Sequence, residues 1–391
     1  MVDLDFVMGE YTQELYDAIW DIAGRDFEQD YDSVELLEKL NSPDFFRPFS
    51  ERLLAFYNEA LSSNFTVDEA KTDLLLRAKQ SGIDLNRGTM GGWFSGKAPK
   101  YDETARKNLF AIAFTLELDA ERTEKLFHKV FLDKAFNKRN VREFIYLYCI
   151  NKRKPLSAAE SLISKAESIG AADIPEEQTE RTQFLEEALG KDIDEGALLD
   201  FIYKHQKNFS LNNTAAKAHR QKLLDRLTGS ASHLGLAQRE YERRRPGISD
   251  DKYGKSMISV DFLFYMIMGI DFAQKKNNDA LPIRERFLRK EIHNNFPDKL
   301  TLSMFDPSSY ILRKDIILLQ FYDYWVTDYL SGQSIGDYDG FVEGLNDILY
   351  GCGFSPLYIG NPFDWLFLYC SACADDSYTP LDRFRGILMQ D

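Results

Sequence analysis

Apolar side chains recur at helical spacing almost throughout this chain, and no other feature narrows the possible folds as far. Leu53, Leu54, Phe56, Tyr57 and Leu61 follow an i, i+3, i+4 pattern, as do Phe110, Ala113, Phe114, Leu116 and Leu118. Alternating β-type runs are nearly absent and glycine-rich hairpin signals are few. The tract Met257–Ile270 is the one candidate for a strand, and its length favours a buried helix. The periodicity predicts an all-α protein.

A chain of 391 residues with 29 Phe and 20 Tyr has ample surface to bury, which excludes a disordered tail protein. Four cysteines do not make a disulfide scaffold, and the start Met-Val-Asp-Leu-Asp has neither the basic nor the apolar region of a secretion signal. The longest strongly apolar stretch, Phe262–Ile270, falls far short of the ~20 residues needed to cross a bilayer. These features predict a reduced, cytoplasmic protein with no membrane contact. No glycine-rich phosphate loop, HExxH, GxSxG or EF-hand pattern is present, and His128, His205, His219, His233 and His293 are widely scattered, so no cofactor or metal is expected.

Charge is unevenly spread along a chain of net charge −15. Residues 1–65 carry 4 basic and 15 acidic side chains, whereas residues 66–140 carry 14 basic and 11 acidic. The only positive segment is therefore flanked by negative ones, and a polyanionic partner is sought there first; a solvated helical face would produce the same excess. Small residues, Pro175 and acids make Ile169–Gln178 resemble a linker, and Gly229–Lys255 is loop-rich around Pro246, Gly247 and Gly254. The expected organisation is an acidic helical arm at 1–65, a module at 66–135 and a large helical region at 136–391, with a further boundary near 229–255.

Within the module, Asp68–Gln80 is amphipathic through Leu74, Leu75 and Ala78, and Ser81-Gly82 ends it. A short second helix follows, capped by Asn86 or Asp84, with Met90, Trp93 and Phe94 pointing inward. Gly96 stops it and Pro99 prevents continuation. Asp102–Leu116 and Ala120–Phe131 form the third and fourth helices. Gly88, Gly91 and Gly92 each cost the second helix roughly 1 kcal/mol.

This stretch resembles the lambda-repressor-like (Xre-type) helix-turn-helix. The matching residues are Ala78 four positions before Gly82, the Met90-x-x-Trp93-x-x-Gly96 ending of the second helix, and Ala111–Phe127, which looks like that family's closing helices. The turn before Met90 is about two residues longer than the family norm. The wider text from Arg87 to Ile150, and Cys352–Ser371, resemble a group of Firmicutes proteins labelled as Xre-type regulators. The resemblance implies a helix-turn-helix module embedded in a larger multi-helical protein, a cytoplasmic bacterial regulator that binds double-stranded DNA. In such modules the helix after the turn lies in the major groove. By position, Asn86, Arg87, Thr89 and Ser95 would face DNA, with Lys97 and Lys100 on phosphates. Arg87, Lys97, Lys100 and Lys107 are expected to be exposed together, and Trp93 to be buried against Leu74, Ala78 and Phe110.

Other constellations are weaker. Cys370 and Cys373 form a C-x-x-C pair with Cys352 upstream, but follow Trp365, Leu366, Phe367 and Leu368 and read as buried structure. Arg286 and His293 lie seven apart and are similar to the loose signature of HEPN-type ribonucleases; a solvated basic helix is the plainer reading. Arg239, Arg243, Arg244 and Arg245 form the densest basic cluster and read as a surface loop balanced by Glu240, Glu242, Asp250 and Asp251. The aromatic runs Phe321–Trp325 and Phe363–Phe367 read as core; as a pocket they would suit a protein or peptide partner. The alternatives to DNA binding are a helical scaffold or partner-binding protein, in phage defence or a mobile element, and a ribonuclease built on Arg286 and His293. A C-terminal region that senses a signal or mediates assembly, including self-assembly, completes the expectation.

Overall fold

A computed structural model describes residues 37–43, 46–99, 102–138, 140–168, 193–228, 311–331, 338–372 and 379–389. The described residues are helical, with no strand among them, as the apolar periodicity predicts. The chain divides into two compact units: Arg47–Ala215, and Met1–Phe46 together with Ala216–Asp391. The boundaries therefore fall at 46/47 and 215/216, where the sequence pattern suggested 65/66 and 135/136. The physical reason is that the second half of the acidic arm is not an arm: Phe49, Leu53, Phe56 and Tyr57 are buried in the same core as Trp93 and Phe94. Ile169–Gln178, Gly229–Lys255, Met257–Ile270, the 239–245 arginine cluster, Arg286 and His293 lie outside the described residues.

In the continuous unit, α1 (Phe49–Leu61) buries Phe49, Leu53, Phe56 and Tyr57, one side at i, i+4, i+7, i+8. It ends at Ser62 in the left-handed region, φ 50°. Asn58 then staples the turn: its Nδ2 donates to the Phe65 carbonyl (3.0 Å) and its Oδ1 accepts from the Phe65 N–H (2.8 Å). α2 (Val67–Gln80) opens on a capping box in which Thr66 Oγ1 accepts from the Glu69 N–H while Glu69 Oε2 accepts from the Thr66 N–H at 2.8 Å. α2 closes at Gly82, φ 68°, with the Ile83 N–H donating to the Ala78 carbonyl at 2.8 Å.

α3 (Arg87–Phe94) is capped by Asn86, and α4 (Glu103–Thr115) by Asp102, whose Oδ1 accepts from the Ala105 N–H at 2.9 Å. α5 (Ala120–Leu126) does not run on to Phe131 as one α-helix: a π-helical turn occupies Phe127–Phe131 and ends at Leu132 with φ 59°. α6 (Val141–Asn151) packs on α7 (Leu156–Ser168), and α7 on α8 (Glu195–Lys204). Arg106 of α4 ties the segment after the π turn to α6. It donates to Glu143 (2.6 and 3.0 Å), to Asp133 (2.8 Å) and to the carbonyls of Lys134 and Ala135 (3.0 and 2.6 Å). Burial holds the Lys134 ammonium down at about 8, despite Asp133 nearby.

α9 (Gln206–Thr228) contributes Phe209 to this core and Ala216, Leu223 and Leu224 to buried positions beyond the 215/216 boundary. The described part of the second unit consists of residues 37–43 and Phe46, that later half of α9, α10 (Arg313–Ser331), α11 (Tyr338–Gly351), α12 (Pro362–Ala372) and α13 (Pro380–Met389). α12 is buried from Pro362 to Ser371, so it is the central element. Phe46 meets Trp365 edge to face at 5.9 Å, and Phe321 packs on Phe341, Phe367 and Phe384. The aromatic runs are therefore core, as the sequence suggested. Arg313 clamps α12 through a bidentate pair with buried Asp364 (2.8 and 2.6 Å). Among the described residues no helix is long and apolar enough to cross a membrane.

Candidate nucleic-acid interface

The α2–turn–α3 hairpin is held by its inward side chains. Leu74 and Ala78 of α2 and Met90, Trp93 and Phe94 of α3 are buried in one cluster with Leu85 of the turn. Trp93 is buried, as expected, and shares a core with Leu74, Ala78 and Phe110; its ring stands edge-on to Phe49 of α1 at 5.3 Å. Phe94 is edge-on to Tyr57 at 6.3 Å. Tyr57 also reaches α2: its hydroxyl donates to Asp73 Oδ2 at 2.7 Å, and Arg77 Nε donates to the same oxygen at 2.7 Å. Partial burial pulls the Asp73 carboxyl upward, yet these hydrogen bonds leave it below its ordinary value; burial and Asp73 push the Tyr57 hydroxyl well up. This contact fixes α2 relative to α1.

The outward side of α3 is nearly bare. Gly88, Gly91, Gly92 and Ser95 recur at i, i+3, i+4, i+7, hence along one side. Asn86, Arg87, Ser95 and Lys97 are exposed and Thr89 is half-buried. Asn86 serves as the cap: its Oδ1 accepts from the Thr89 N–H at 2.9 Å and from Thr89 Oγ1 at 3.2 Å. Ser95 Oγ donates to the Gly91 carbonyl at 2.6 Å. Gly96 takes φ 89°, which lets the Lys97 N–H return to the Gly92 carbonyl at 2.8 Å and lays the Lys97 stem beside Gly92. Lys100 lies outside the described residues.

Ion pairs are spread over this unit: Lys107 with Glu160 (3.5 Å), Lys125 with Glu121 (2.8 Å), Lys129 with Glu59 (2.9 Å), Arg142 with Glu167, and Lys154 with Glu195 (2.8 Å), whereas exposed Arg122, Arg153 and Lys204 have no carboxylate partner among the described residues. On the hairpin, Lys71 pairs with Asp68 and Arg77 with Asp73, but Lys79, Arg87 and Lys97 have no carboxylate partner among the described residues. The acids there without a cation partner are Glu69, which caps α2 through Thr66, and Asp84, in the turn. Of the four cations expected together, Arg87 and Lys97 are exposed, Lys107 pairs with Glu160 of α7 and Lys100 lies outside the described residues; Lys79, which motif position did not single out, is a further exposed cation without a carboxylate partner among the described residues. Its signal was legible: no acid stands three or four residues to either side of Lys79.

Among the described residues no group of His, Cys, Asp or Glu could hold a metal ion. Cys352 and Cys370 are buried, and burial pushes the Cys352 thiol up to about 11, which makes it inert structure; Cys373 lies outside the described residues. No family model, no curated protein and no solved structure matches the chain.

Proposed function

We propose that the α2–α3 hairpin is a contact surface for double-stranded DNA, and that the chain is a DNA-binding regulator whose discontinuous unit receives a signal or mediates assembly. One observation carries this reading: Lys79, Arg87 and Lys97, all exposed and none with a carboxylate partner among the described residues, lie on one hairpin of helix, turn and short capped helix. Unpaired cations on a rigid hairpin suit a phosphate backbone, whose counterions they displace. The order of helix, turn and short capped helix, with an inward Trp93, fits the helix-turn-helix resemblance.

The test is fluorescence anisotropy of a labelled duplex with the full-length protein at about 50 and 200 mM salt. Three phosphate contacts imply a loss of roughly 40-fold across that range. Reversing charge at Lys79, Arg87 and Lys97 together should abolish binding at both. Affinity that ignores salt and survives reversal would refute the reading. A protein partner is the second reading, favoured by the small side chains along α3, which would let another helix approach closely. Its binding would respond weakly to salt.

A further inference from the structure

Between Lys314 and Arg383 the chain has no Lys, Arg or His, against eleven acidic residues. An acid on a helix surface there has no cation within helical reach in the sequence. α11 is the element on which this shows. Phe341, Leu345 and Leu349 recur every four residues and are buried. Asp339, Glu343 and Asp347 recur at the same spacing on another side, are exposed, and have no cation partner among the described residues. Gly340, Gly344 and Gly351 flank that row, and a Cβ built on Gly344 or Gly351 meets no atom within 4 Å. Acids alone mark a solvated side. Tyr350, on the same side as Asp339 and Glu343, adds an anchor of the type that protein contacts use: at 75% it is the most exposed large hydrophobic side chain among the described residues.

The chain itself carries the complement of this face. Its only positive segment is 66–140, and on the hairpin within it Lys79, Arg87 and Lys97 are exposed without a carboxylate partner among the described residues. The other such cations of that unit, Arg122, Arg153 and Lys204, stand singly on separate elements. Lengths agree as well. Asp339 to Asp347 spans about 12 Å along α11, while Arg87 opens, and Lys97 follows, an α3 of about 12 Å. Small side chains on both helices shorten the distance at which their axes pack.

We propose that the outward face of α11 docks the α2–α3 hairpin of a second copy of this chain, with Asp339, Glu343 and Asp347 against Lys79, Arg87 and Lys97 and with Tyr350 at the contact. The proposal rests on the assembly half of the reading above; its test is run without DNA, so the two halves fail separately.

Sedimentation equilibrium of the full-length protein at about 100 μM and about 50 mM salt should give an average mass rising toward about twice that of one chain. At about 500 mM salt the mass should return to one chain as the charges are screened. Asp339→Lys, Glu343→Lys and Asp347→Lys together should leave a monomer, as should Lys79→Glu, Arg87→Glu and Lys97→Glu together. All six positions are exposed, and an unchanged thermal melt by circular dichroism checks that each triple variant is folded. An equimolar mixture of the two triple variants should associate again, because each offers the other a complementary face. Arg122→Glu, Arg153→Glu and Lys204→Glu together should leave association unchanged. A wild-type monomer at low salt, association that survives either of the first two triple reversals, association lost with the third, or a mixture that stays monomeric would each overturn the proposal. Duplex binding by a protein that stays monomeric would leave the DNA reading standing alone, and association without duplex binding at about 50 mM salt would overturn only the DNA reading.

Discussion

At the scale of residues, Trp93 decides whether the hairpin has a fixed shape. Its ring is 5% exposed and fills the space between α1 and α3. Trp93→Ala should cost about 3–5 kcal/mol, read by urea denaturation of the continuous unit; a cost below about 1 kcal/mol would show that the cavity collapses freely. Asp323 supplies a pH test in the other unit. Arg226 Nη2 lies 3.0 Å from its Oδ2, yet burial raises the carboxyl to about 6. A folded value above the ordinary 3.8 means that Asp323 contributes stability below about pH 4 and loses that contribution as pH rises through 6. Asp315, also raised by burial, acts in the same direction. Asp323→Asn should therefore flatten the stability profile between pH 4 and 6, and an equally steep profile would exclude Asp323 as its source. The buried partner of Trp93 in α1 was not legible in local spacing, because it lies in a segment distant in the chain, whereas Asp323 lies in an aromatic run that the sequence pattern already assigned to the core.

At the scale of elements, stops were legible because their chemistry is local: Gly82 and Gly96 take the left-handed conformations that end α2 and α3, and Asn86, one of the two caps expected, caps α3. Thr66, Asp102 and Asp119, which cap α2, α4 and α5, were not singled out as caps by the sequence pattern. The π turn at Phe127–Phe131 was not legible, since FHKVF continues an α-helical pattern without a breaker. Its geometry is sustained from outside: Arg52 Nε donates to the Val130 carbonyl at 3.2 Å, and the Asp133 N–H reaches the Phe127 carbonyl at 3.4 Å. Arg106 has the same non-local character, joining α4 to Asp133 and to Glu143 of α6. Arg106→Met keeps the packing over Phe127 but strands the buried Glu143 carboxylate. A loss of about 3–5 kcal/mol is expected, and Glu143→Gln in the same background should recover part of it. No recovery would assign the loss to packing alone.

At the scale of the whole molecule, the helical class was legible in the apolar periodicity, but the division into units was not. Charge placed a boundary after residue 65, whereas packing places it at 46/47, since net charge reports the solvated side of a helix and says nothing of its buried side. The continuous unit has its own core from Phe49 to Phe209, so a fragment of residues 47–215 should fold alone with a cooperative thermal transition by circular dichroism. A broad, non-cooperative melt would show that it depends on the rest of the chain. The discontinuous unit bears differently on how the chain is made. Phe46 packs on Trp365, which is translated about 320 positions later. At about 5–20 residues per second, Leu40 and Phe46 leave the ribosome roughly 15–65 s before that partner exists. The intervening unit can complete its own core in that interval. The N-terminal segment cannot, and a nascent chain stalled before Pro362 carries Phe46 with its Trp365 contact still unmade.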